Sequence, residues 1–122
     1  MTLIELDQNS FVYPGHPVVL AVMIMKKFAS WKEASARTKY TFPAALGSQE
    51  IPGAGGAVYS ALDVLKRIKL GISCEDALAE ANRVWKIERD NGYAHNYVEG
   101  QKKAEALIPL FKELIKSWDF SD

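Results

Sequence analysis

The sequence predicts an all-α fold, a compact bundle of four to five helices with a short extended N-terminal arm, and three observations carry that expectation. Residues 73–118 read as two amphipathic helices folded back across a short polar turn: Ala77, Leu78, Ala81, Val84 and Trp85 share one face of a 3.6-residue helix. The second segment repeats the spacing through Ala104, Leu107, Ile108, Phe111, Leu114 and Ile115, so each stripe can cover the other. An apolar run, VVLAVMIM from residue 18, follows Pro17 and precedes Lys26 and Lys27. Helix punctuation recurs at Ser30, Gly71, Ser73 and Gly92.

Residues 2–7 alternate imperfectly and predict an edge strand or extended arm. Residues 11–17 hold two prolines, which fix φ, and Gly15, which supplies a turn; this is a stiff loop. Pro17 suits a first helical position, so residues 18–28 are expected to form a helix, apolar on every side and therefore central. Ser30 and Glu33 match the S-x-x-E capping box, opening a helix at Trp31 that ends near Lys39; residues 40–42 look extended ahead of Pro43.

Residues 44–56, which follow Pro43, contain one proline and four glycines and form the longest irregular stretch. A helix follows in which Val58, Ala61, Leu62, Leu65 and Ile68 make the stripe and Asp63 can pair with Arg67 at i+4. Gly71 ends it and Ser73 caps the next, with Asp76 three residues on. Pro109 falls inside the last periodic segment, which is expected to be kinked there or broken into residues 94–107 and 109–118.

The 122 residues fit one domain, and 15 basic against 15 acidic side chains leave no net field to draw the chain onto nucleic acid or an anionic membrane. The apolar run is too short to span a bilayer, and no basic segment precedes it as a secretory signal requires. A single cysteine, Cys74, excludes an internal disulfide and a thiolate-rich zinc site; Glu75 and Asp76 beside it oppose a reactive thiolate. A soluble, cytoplasmic protein is expected.

Candidate chemistry is sparse. Pro52, Gly53, Ala54, Gly55 and Gly56 precede a helix, where free backbone N–H groups can hold phosphate or carboxylate, but the lysine and Ser/Thr of a P-loop are missing. A ligand pocket walled by Tyr13, His16, Gly53, Gly55, Gly56 and Tyr59 would suit a small anionic or aromatic ligand. His95 and Glu99 stand at i, i+4, yet two ligands do not make a metal site, so no metal and no cofactor is expected.

Between Leu65 and Val84, a helix, the turn Leu70-Gly71-Ile72-Ser73 and a second helix resemble the helix-turn-helix of DNA-binding regulators. The first turn of the would-be recognition helix is Cys74-Glu75-Asp76, whose carboxylates repel phosphates, so nucleic acid is a disfavoured partner. With no catalytic constellation, the leading expectation is a small interaction module that self-associates as a homodimer through Phe111, Ile115 and Trp118. The anionic-ligand pocket is the alternative, and DNA binding a third reading.

Overall fold

Nine consecutive residues, Pro17 to Met25, are all buried, and the rest of the chain is arranged to bury them. The computed structural model describes residues 16–36, 56–92 and 97–121. Among them are five helices and no strand, an all-α bundle: α1 (Pro17–Lys27), α2 (31–36), α3 (Gly56–Lys69), α4 (Cys74–Asp90) and α5 (Tyr97–Ser117). The expected arm at 2–7, the extended 40–42 and residues 44–55 of the glycine-rich loop lie outside the described residues.

A helix that is apolar all round is stable only when surrounded. α3 and α5 pack most extensively on α1, with α4 adding a smaller contact. Pro17 sits in the first turn and the Phe28 N–H closes the end on Ile24 O at 2.9 Å. Lys26 and Lys27 in the last turn complement the helix dipole. Leu20, Met23 and Ile24 are among the largest fully buried side chains, joined by Val64 and Leu65 of α3 and Phe111 of α5.

The punctuation is where the sequence places it. Ser30 Oγ accepts from the Glu33 N–H at 3.1 Å, opening α2, and Ser73 Oγ accepts from the Asp76 N–H at 3.1 Å, opening α4. At the end of α3, Gly71 takes φ 98°, its N–H reaches Ile68 O, and the Ile72 N–H reaches Arg67 O. Those two bonds form a Schellman motif, which needs the left-handed residue that glycine supplies without strain. Asp63 and Arg67 pair at 2.8 Å.

Two expectations change. The stripes of α4 and α5 do not chiefly cover one another: their mutual contact is slighter than the contact of either α3 or α5 with α1. The α5 stripe packs on the apolar helix α1, whereas α4 packs mainly on α3 and less on α1. Of the two alternatives at Pro109, the break is excluded, since α5 runs unbroken through it. The proline is exposed, so the carbonyl it leaves without a helical partner can bond water.

The end of α5 returns to the start. The Trp31 N–H donates to Asp119 O at 2.7 Å, part of an isolated parallel bridge between Ser30 and Asp119. The Trp118 indole N–H donates to Phe28 O at 2.8 Å. Phe120 meets the Trp118 ring edge-on at 5.1 Å.

Candidate functional site

The polar centre of the molecule starts from His16, which is 0 % exposed. As the N-cap of α1 it accepts the Val18 N–H on Nδ1 at 3.0 Å, so that nitrogen carries a lone pair and the ring proton belongs on Nε2. Nε2 then donates to Asn82 Oδ1 of α4 at 2.9 Å. The imidazole is thus held in one neutral tautomer with both nitrogens engaged. Burial pushes its pKa down from 6.5 to about 4, against the opposing pull of Asn82, Gln101 and the Glu105 charge.

Beside it runs an aromatic column. Trp85, also 0 % exposed, lies with its ring 5.5 Å from the imidazole, and Tyr97 of α5 stacks on it at 5.7 Å and 12°. The indole N–H donates to Tyr97 O at 3.1 Å, and the Arg89 guanidinium sits 4.8 Å from the tyrosine ring centre. Gly100 makes room for this: a Cβ there would stand 2.5 Å from Trp85 Cζ2.

Above the histidine, α4 and α5 leave an open groove of about 430 Å³. Ala79, Asn82, Arg83 and Lys86 line one wall and Tyr97 and Gln101 the other. The α4 residues recur at i, i+3, i+4 and i+7, one face of the helix, on the rim of its apolar stripe. Arg83 is held by Glu80 of its own helix in a two-bonded fork, which keeps the Glu80 carboxyl below its usual range. Lys86 has no ion-pair partner among the described residues. Gln101 donates from Nε2 to Glu105 Oε2 at 3.1 Å and to Asn82 Oδ1 at 3.4 Å.

This arrangement suits recognition more than proton transfer. An imidazole whose pKa has fallen to about 4 and whose nitrogens are both engaged is a poor general base near neutrality. Cys74 is half-buried and its thiol is pushed up, first by burial and then by Glu75, with Lys112 opposing. It is therefore no activated nucleophile. Among the described residues no three His, Cys, Asp or Glu side chains gather as a metal site, and no helix is long and apolar enough to cross a membrane.

Of the residues expected to bind a ligand, Tyr13, Gly53 and Gly55 lie outside the described residues, while Gly56 and Tyr59 fall in the first turns of α3. His16 reaches Asn82 and Trp85, toward α4. Phe111 is 0 % exposed and serves the chain's own core. Ile115 is half-buried against that core, and Trp118 is half-buried with its N–H given to Phe28. His95 lies outside the described residues, and Glu99 is exposed.

Sequence reasoning missed Asn82, Lys86 and Gln101, which look like ordinary polar positions on a helix surface. The faint signal was Gly100-Gln101 beside the stripe residue Ala104, a small residue and an amide where packing is close. Comparison with protein-family models, with curated proteins and with solved structures finds no match to this chain.

Proposed function

We propose that the domain is a binding module that takes a small anionic ligand in the groove between α4 and α5. One juxtaposition supports this reading. A buried neutral imidazole anchors Asn82 from beneath, and Lys86, one helical turn further along the same wall, has no ion-pair partner among the described residues. A free cation beside preplaced amide groups is the chemistry that holds a carboxylate or phosphate. This groove is a different place from the pocket expected beside the glycine-rich loop, and His16 lies beneath it without lining it.

Titration of the 15N-labelled protein with glutarate and with inorganic phosphate tests it by NMR. Amide shifts are expected to concentrate in residues 79–86 and 97–101 and to vanish in Lys86→Ala. Shifts elsewhere, or none with either anion, would overturn the reading.

Self-association is a second reading, supported by the zero net charge and by Leu70 and Ile72, 71 % and 41 % exposed at the α3–α4 turn. Light scattering should then give twice the 13.6 kDa chain mass, reverting to the monomer in Leu70→Glu. A monomer at high concentration would end it.

A further inference from the structure

The end of α4 carries a reactive pair of residues. Asn91 is the C-cap of the helix and Gly92 follows it, both exposed. An asparagine side-chain amide is an electrophile for the backbone nitrogen of the next residue, because attack on Cγ closes a five-membered ring. Most residues obstruct that attack with their own side chain, and glycine has none. At Gly92 the space is open as well, since nothing stands within 4 Å of where a Cβ would lie.

The folded cap holds the two groups apart. Asn91 has ψ 2°, which eclipses Gly92 N with the Asn91 N and leaves Cβ, with the amide it carries, roughly a third of a turn away about the Cα–C bond. The Gly92 N–H is also engaged, donating to Arg89 O at 3.0 Å, and the Asn91 N–H donates to Ile87 O at 2.9 Å. Gly92 takes φ 80°, the left-handed value of a helix stop. Ring closure therefore needs rotation about ψ of Asn91 and loss of the bond from Gly92 to Arg89. Those changes undo only the last turn, and helix ends open far more readily than cores.

We propose that Asn91 is a site of spontaneous deamidation whose rate is set by opening of the α4 cap. In the opened turn the Gly92 nitrogen gives up its proton and bonds to Asn91 Cγ, and the side-chain nitrogen leaves with its bonding electron pair and a proton as ammonia. Solvent water then opens the succinimide at either carbonyl, which yields aspartate or isoaspartate at position 91. Either product adds a carboxylate to a chain of zero formal charge, at the negative end of the helix dipole and beside Asp90. Isoaspartate also lengthens the main chain by one carbon, which moves the Gly92 N–H off its acceptor. Arg89 supplies that acceptor and also covers the Tyr97 ring, so the modification loosens one end of the α4–α5 seam. The chemistry is independent of whether the groove binds an anion.

Incubation of the whole chain near neutral pH, folded and in parallel in urea, followed by peptide mapping with mass spectrometry, tests the proposal. Aspartate and isoaspartate are expected at position 91 of the folded chain, forming about ten- to a hundredfold more slowly than in urea. The rate should rise with pH, because the attacking nitrogen must lose its proton, and with urea below the unfolding transition, because helix ends open first. Asn82, held mid-helix with its side-chain oxygen bonded to His16, should stay intact. Asn91→Gln, in which the ring would be larger, should keep its mass at that position throughout. The modified chain separates by its added charge and should melt below the native chain, as should Asn91→Asp. Equal rates in the folded and urea samples overturn control by the cap. A folded rate below about a hundredth of the urea rate, or modification of Asn82 ahead of Asn91, removes the site. An unchanged melting temperature in the modified chain overturns its effect on the seam.

Discussion

The two sides of the bundle are joined by different chemistry. Where α1 meets α3 and α5, the contacting side chains are Val, Leu, Ile, Met, Ala and Phe, all buried. Where α4 meets α5, the contact includes a tryptophan, a tyrosine and two amides, with the imidazole of His16 beneath, and the Lys112–Glu75 ion pair. The first seam is non-directional, stabilises in proportion to buried area and tolerates changes of shape. In the second, each polar atom requires a partner at a set distance and angle, so the seam fixes geometry at some cost in stability. Recognition belongs on the directional side, and there the groove opens.

The largest break in this contrast comes from the apolar seam. Leu20→Ala removes a fully buried side chain of α1 and is expected to lower unfolding stability by ~2–5 kcal/mol, read by urea denaturation. If the seams are energetically separate, Trp85 fluorescence below the transition should be unchanged. A shifted emission in the folded variant would show that they are one unit.

Acid is the next lever, and it acts on the directional seam. The folded-state pKa of His16 lies at about 4 against 6.5 for the free side chain, so the unfolded chain binds the extra proton between those values. The stabilisation is fully present above pH 6.5, declines as pH falls towards 4 and is exhausted below that, a total of up to ~3 kcal/mol. The lowered carboxyls of Glu80 and Asp119 act at more acidic pH than the start of this decline, so the loss between pH 6.5 and 4.5 reports the histidine. Denaturant midpoints measured across that window should fall in the native chain and remain flat in His16→Asn, which keeps a capping oxygen.

The smallest effect sharpens the comparison. Gly100→Ala places a methyl 2.5 Å from Trp85 Cζ2, and the rigid indole must shift. A loss of ~1–3 kcal/mol is expected, together with altered Trp85 emission and a changed Tyr97 stack. An unchanged spectrum would mean that the glycine is not what sets the ring.

Much of the fold was readable because helix signals are local. Ser30, Ser73, Gly71 and Gly92 act within a few residues of themselves, and the uniformly apolar character of residues 18–25 foretold a surrounded helix. Partner choice was not local. Nothing in the spacing of α4 or α5 tells which stripe will lie against which neighbour, so the hairpin expectation overstated their contact. The groove was hidden for the same reason. Asn82 and Gln101 are 19 residues apart and Asn82 and His16 are 66 apart, and only folding makes them neighbours. His16 is legible as a candidate in the sequence, but its contacts with Asn82 and Trp85 are not.

The burial of residues 17–25 of α1 bears on how the molecule is made. Its apolar surface is translated before Phe111, which helps to close over it and follows about ninety residues later. At about 5–20 residues per second that interval lasts roughly 5–20 s. Throughout it the growing chain carries a sticky segment whose natural cover has not been synthesised. An exposed apolar segment of this kind is a surface on which partly made chains can associate until α5 is available to cover it.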